Sequence, residues 1–218
     1  MKMFSNSKPK VLVCVLTGME RHTWLNPDLS AVLFRMATDS RFEVNYFPIK
    51  DARPVESARN MSIAVAKQMQ VDWLVSIDND NSPLCNPLDI IAQARDKQII
   101  GLTSGVYSPA GNGLAMCPPE RIAMDGDFAE VLHVGGACLM IHKSVWQKMS
   151  KGPYFRTVIP YDKDGKFQDG GIVGEDAFFC RAARAHGIKV WTHRNQAAHF
   201  RTADLTGFIN AFQEAQKK

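Results

Sequence analysis

The chain contains no Cys-x-x-Cys pair. Its five cysteines, Cys14, Cys85, Cys117, Cys138 and Cys180, are odd in number and widely scattered, which indicates neither a disulfide framework nor a zinc site and points to a reducing compartment. No apolar run approaches the ~20 residues that span a bilayer. The apolar stretch 11–16 is shorter than a signal-peptide core and has no small-residue cleavage site after it. The expectation is therefore a cytoplasmic chain without membrane insertion, in which the sequon Asn60-Met61-Ser62 has no meaning. Internal repeats and low-complexity tracts are also missing. A strong charge of one sign is absent too. The 26 Lys and Arg against 22 Asp and Glu leave a net +4, which suits an anionic partner without requiring one. What remains is 218 residues, 45% of them apolar, enough for one sizeable core and expected to form a single domain over 1–218.

Strand-like and helix-like segments alternate. The run 11–16 reads as a first strand, followed by a helix with Asn26 as cap and Pro27 at its first position, ending near Asp39. Residues 42–47 read as a second strand. Ala58, Met61, Val65 and Met69, three or four apart, give the next helix an apolar face. Residues 73–77 form a buried strand, 87–96 a helix and 99–103 a strand. This order predicts an α/β fold with a mostly parallel central sheet covered on both sides. The segment 105–126, rich in Gly, Pro, Ser and Asn, reads as loop. Strands at 131–134 and 137–141 are broken by Gly135-Gly136, and a short helix follows from Ser144. The irregular stretch 152–174, with Asp162, Asp164, Asp169 and Gly170-Gly171, is a candidate lid. A helix over 175–186 closed by Gly187, a strand over 189–192 and a last helix over 205–216 complete the chain.

The most informative segment is Trp73-Leu74-Val75-Ser76-Ile77-Asp78-Asn79-Asp80-Asn81-Ser82-Pro83, an apolar strand with two acidic residues at its carboxyl end. Ligands of open α/β sheets bind at that end. Alternation in an extended chain places Asp78 and Asp80 on one side, and two close carboxylates repel unless a cation lies between them. Hard oxygen ligands suit magnesium or manganese. The plainer alternative is a turn, which Asp, Asn, Ser and Pro all favour. Glu175-Asp176 opens a helix, where unpaired amides favour carboxylates with or without chemistry. Phe178, Phe179 and Cys180, spaced with Ala182 and Ala183, read as core.

Taken together, Ala58-Arg59-Asn60, IDND at 77–80, VGGACLMIHKSVW at 134–146, GEDAFFCRAARAHG at 174–187 and the late His199 occur in an order that resembles the GT-A glycosyltransferases. The likeness is to the broad glycosyltransferase family 2-like group with short stand-alone bacterial and phage members. It covers most of the chain and implies a Rossmann-like nucleotide-sugar-binding fold. It further implies a manganese or magnesium ion held by Asp80, with Asp78 on the ribose or the metal and His199 as a further ligand; His193 is the competing histidine. Asp176 would be the general base, with Glu175 beside it. Arg59 would approach the diphosphate or base, Asn60 would fix the loop beneath, and Gly135 and Gly136 would allow close approach of donor or acceptor. Exposed helical Arg and turn-shaping Gly are the plainer alternatives.

The function implied is hexosyl or pentosyl transfer from a nucleoside diphosphate sugar, with uridine diphosphate as the expected carrier, to an acceptor hydroxyl with inversion. A hydroxylated DNA base, as in phage DNA modification, suits the mild basicity, and a glycan, a protein or a small molecule stays open. Nucleotidyl transfer is the alternative enzyme reading, disfavoured because Thr17-Gly18-Met19-Glu20 lacks a Gly-rich phosphate loop. A non-catalytic nucleotide-sugar or nucleic-acid-binding module is the alternative of another class.

Overall fold

The structure is a computed structural model that describes residues 7–17, 27–50, 53–104, 106–107, 114–115, 121–160, 164 and 172–199. The unbroken apolar run of β1 (Lys10–Thr17) is buried from Val11 to Leu16, as befits a strand covered on both faces. Helix α1 (Pro27–Ala37) follows, then β2 (Glu43–Tyr46) and β3 (Ile49–Lys50). Helix α2 (Val55–Gln68) leads into β4 (Trp73–Asp78). A two-residue turn separates β4 from β5 (Asn81–Pro83). Helix α3 (Pro87–Gln93) has Asn86 as its cap, accepting from the Leu88 amide at 3.1 Å, and Pro87 at its start, the pairing that favours a helix N-terminus. Next come β6 (Ile99–Ser104), the short strands β7 (Val106–Tyr107) and β8 (Leu114–Ala115), and the hairpin of β9 (Arg121–Asp125) and β10 (Phe128–Val131). The described chain ends with β11 (Cys138–His142), α4 (Lys143–Met149), α5 (Glu175–Ala185) and β12 (Val190–His199).

Among the described residues, ten strands form one mixed sheet in the order β2-β1-β4-β11-β6-β12-β10-β9, with β3 beside β1 and β5 beside β12. β1 runs parallel to β2, β3 and β4, and β12 runs parallel to β6. β11 is inserted antiparallel between β4 and β6, and β10 and β9 extend the other edge antiparallel. Side-chain alternation divides the core between two faces. Leu12, Cys14, Leu74, Ile99, Leu139 and Val190 pack with α2, α4 and α5; Val11, Val13, Val75, Ile100, Met140 and Trp191 pack with α1 and α3. The α/β class expected from the sequence is thus present, with helices on both sides. No helix among the described residues is long and apolar enough to cross a membrane.

Several elements depart from the sequence expectation. Residues 121–125 lie in a segment expected to be loop, yet form β9, an edge strand whose five residues are all exposed. The expected strand at 131–134 ends at Val131, and Val134 instead leaves the sheet and packs over Gly101. The strand expected to stop at Thr192 continues to His199 through a register irregularity between Thr192 and Gln196. In α2 the buried positions are Ala58, Arg59, Ser62, Ile63 and Ala66, while Met61 and Met69 are exposed. The buried stripe therefore includes a cation and a hydroxyl that an apolar count passes over. The Asn26 cap, Asp162, Asp169, Gly170-Gly171 and the last helix at 205–216 lie outside the described residues.

Gly101 sits where a side chain would collide with this packing. A Cβ there would lie 2.6 Å from Val134 Cβ, inside any van der Waals contact. Gly101→Ala is expected to destabilise the chain by about 1–3 kcal/mol through overpacking, read as a lower urea midpoint. The double variant Gly101→Ala/Val134→Ala should recover part of that loss, because the two sites share one contact.

Candidate functional site

At the carboxyl end of β4, four segments far apart in sequence meet around one side chain. Arg59, on the inward face of α2, is 4% exposed. Its Nε donates to Glu175 Oε1 at 3.2 Å, its Nη1 to the Gly136 carbonyl at 3.0 Å, and its Nη2 to Asp78 Oδ2 at 3.0 Å. A guanidinium carries its donors in a rigid plane, so three fixed bonds also fix the segments that accept them. Burial opposes the Arg59 charge, but the two carboxylates beside it outweigh that cost and raise its pKa. A buried charge of this kind is tolerated only when paired and hydrogen-bonded.

Asp78 ends β4 on the face covered by α2 and α5. Its Oδ1 is enclosed and has no hydrogen-bond partner. Burial pushes its carboxyl up to about 6 from 3.8; Arg59 works against the rise, while Asp80 and Glu175 add repulsion. Asn79 and Asp80 form the turn into β5, so the expected extended alternation is replaced by a tight reversal that still leaves Asp80 close enough to repel Asp78. Asn81, buried at 3% exposure, donates from Nδ2 to Asp80 Oδ1 at 2.7 Å, and its own Oδ1 is enclosed without a partner. The sequence reading did not single out Asn81. Its signal was a buried amide directly after the acidic pair, hidden because Asn is equally ordinary in a turn.

Glu175 and Asp176 open α5 behind Gly174. Asp176 Oδ1 accepts from the Ala177 amide at 2.6 Å, so one of its oxygens serves the first turn of its own helix. Its Oδ2 lies 3.8 Å from the place a Cβ on Gly135 would occupy, which sets Asp176 beside the exposed Gly135. Asn60 acts as a loop fastener. Its Oδ1 accepts from the amides of Tyr154 and Phe155 at 2.8 and 3.1 Å, and its Nδ2 donates to the carbonyls of Glu56 and Phe155, each at 2.8 Å. Phe155 in turn stacks on Phe179 at 4.4 Å between ring centroids. Phe179 and Cys180 are fully buried in the core.

The two histidines separate. His193, expected at the surface, is 5% exposed and packs edge-on to Phe128 at 4.8 Å. It shares the alternation of Trp191, on the face covered by α1 and α3 and away from Asp78. Its Nδ1 accepts from the Asn195 amide, and its Nε2 is enclosed without a partner. The backbone of His199 pairs with Asn81 across β12 and β5, one residue from Asp80. No group of three or more His, Cys, Asp or Glu side chains that could hold a metal occurs among the described residues. The donors present do fit a hard cation: the Asp78 and Asn81 oxygens without partners and the adjoining Asp80 carboxylate are all oxygen ligands.

No family model and no curated protein matches the chain. Among solved structures, it is similar to A197 from STIV, with 16% identity, 87% of this chain and 85% of that chain covered, and a TM-score of 0.56. It is also similar to GalNAc-T7, solved with UDP, GalNAc and Mn2+, with 10% identity, 96% of this chain covered and a TM-score of 0.49. There the chain spans about half the length of its counterpart, 48%. A third is CMP:2-keto-3-deoxy-manno-octonic acid synthetase with CTP, with 13% identity, 97% and 100% covered, and a TM-score of 0.47. The likeness to A197 is one of fold alone, and the other two are too distant to add to it.

Two expectations follow from this geometry. A Cβ on Gly136 would lie 2.1 Å from Arg59 Nη2, whereas one on Gly135 meets nothing closer than the Asp176 oxygen. Gly136→Ala should cost about 1–3 kcal/mol and Gly135→Ala stay within about 0.5 kcal/mol, measured by urea denaturation. The second concerns pH. Folded Asp78 keeps its proton to higher pH than the unfolded chain, so its contribution to stability is complete below about pH 4 and is lost as pH rises through about 6. His142 and His193, whose pKa values burial lowers, act oppositely, contributing above their unfolded pKa and losing that as pH falls. The stability of wild type minus that of Asp78→Asn isolates the carboxyl. That difference should decline from about pH 4 to about pH 7, and a flat difference would contradict the assignment.

Proposed function

We propose that the chain is a metal-dependent glycosyltransferase that moves a sugar from a nucleoside diphosphate sugar, expected to be a uridine diphosphate sugar, to an acceptor hydroxyl. The observation that carries this reading is the convergence of the Arg59, Asp78-Asp80, Gly135-Gly136 and Glu175-Asp176 segments on one end of the sheet. These are the segments on which the glycosyltransferase resemblance rests. In this reading Asp78, Asp80 and His199 hold manganese or magnesium. The cation, when bound, supplies Lewis-acid neutralisation of the departing diphosphate. Asp176 stands beside Gly135 and takes the proton of the acceptor hydroxyl as its oxygen attacks the anomeric carbon. One base and a single displacement invert that centre. Gly135, exposed and without a side chain, lets backbone approach donor or acceptor. Asn60 holds the Tyr154-Phe155 segment in place, and a hydroxylated DNA base is the acceptor class that the mild positive charge favours.

The test is thermal unfolding with uridine, guanosine, cytidine and thymidine diphosphates, each with and without Mn2+, and with Asp80→Ala as control. A nucleotide at a hundredfold its Kd stabilises by about 2.7 kcal/mol, a rise in Tm of roughly 5–10 °C for a chain of this size. The rise should require Mn2+, select one base and vanish in Asp80→Ala. No rise with any of the four would sink the proposal. Turnover with the selected sugar nucleotide should then release nucleoside diphosphate; release of pyrophosphate would mark nucleotidyl transfer instead.

A further inference from the structure

Glu175 and Asp176 are neighbours in sequence but not in what they touch. Asp176 accepts from its own helix and stands beside Gly135. The Glu175 side chain, 17% exposed, accepts from Arg59 Nε. The same guanidinium binds only one oxygen of Asp78, through Nη2 on Oδ2, and Asp78 Oδ1 is enclosed with no partner. Because the guanidinium plane is rigid, the direction of Nη2 is set once Nε and Nη1 are engaged. Glu175 thus helps fix how the Asp78 carboxylate is turned without contacting it through a hydrogen bond of its own.

We propose that Glu175 is a positioning residue for cation capture: through Arg59 it holds Asp78 so that Oδ2 is occupied and Oδ1 is left to a divalent cation. This rests on the cation reading given above and deepens it. Glu175 thereby leaves proton transfer to Asp176. Partners that orient ligating carboxylates in this way commonly matter for metal affinity by about 10–100-fold.

Geometry and charge make opposite predictions here. Glu175→Gln keeps an oxygen that can accept from Arg59 Nε and loses the charge; Glu175→Asp keeps the charge and shortens the reach. Binding of Mn2+ alone to the full chain, followed through the resonance of free Mn2+, reads both variants against wild type. Glu43→Gln, an exposed acid on β2, serves as control for the loss of one unit of net charge. Positioning predicts that Glu175→Gln stays within about threefold of wild type and that Glu175→Asp weakens binding about tenfold or more. The Arg59 Nε–H proton should stay protected from solvent exchange in wild type and Glu175→Gln and become unprotected in Glu175→Asp. The reverse order of affinities, equal affinities for the two variants, or an unprotected Arg59 Nε–H in wild type would each overturn the proposal. A wild-type chain that binds no Mn2+ overturns the cation reading itself, an outcome distinguishable because it appears before any substitution is made.

Discussion

The buried guanidinium of Arg59 is the constraint on which the rest of the site depends. A cation at 4% exposure is unstable in an apolar core unless its donors are met. Here they are met by a helix start, a strand end and a loop carbonyl. The dependence is mutual. Asp78 and Glu175 would be poorly placed, half-buried side by side, without the positive charge between them. Removing one partner of a buried pair typically costs about 3–5 kcal/mol because the remaining charge is left unpaired. The same reasoning warns against reading the cluster as a stabilising device, since apolar replacements of comparable volume are often as stable.

Much of the layout was legible before any coordinates. Apolar runs located β1, β4, β6 and β11 because strands buried on both faces leave no choice but continuous apolar sequence. The acidic pair was legible for a related reason: a charge directly after such a run can only stand at the strand end. Misreadings came where local pattern and tertiary environment disagree. The spacing of Ala58, Met61, Val65 and Met69 gives α2 an apolar face, yet Met61 and Met69 are exposed, because an apolar count passes over Arg59 and Ser62. Residue type could not reveal that two carboxylates, one of them 116 positions away in sequence, would make Arg59 an interior residue. β9 was hidden for the converse reason, since an edge strand with five exposed residues has little burial to impose on its composition.

Sheet topology sets the two candidate histidines in different surroundings. His193 and His199 are six residues apart in one chain segment, and the sequence favours either only by analogy. Alternation in β12 sends His193 to the face of Phe128 and Trp191, while Asp78 belongs with Ser76 and Leu74 on the other. The sheet therefore separates His193 from Asp78. The register irregularity after Thr192 then lets β12 run on and meet β5 antiparallel, bringing the His199 backbone opposite Asn81.

That pairing explains why the turn at Asn79-Asp80 is tight. β5 must reverse at once after β4 to reach β12, and the reversal places Asp80 and Asn81 at the junction of three strands. Asn81 is buried there with Oδ1 unpaired and Nδ2 spent on Asp80. Asp78 has one oxygen spent on Arg59 and the other unpaired. Two enclosed oxygens without donors, Asp78 Oδ1 and Asn81 Oδ1, depart from the rule that buried polar atoms are hydrogen-bonded. The Asp78 and Asn81 oxygens are hard donors, the ligand type that suits a divalent cation. The enclosed oxygens that the fold leaves without donors thus support the proposed cation site on grounds separate from the glycosyltransferase resemblance.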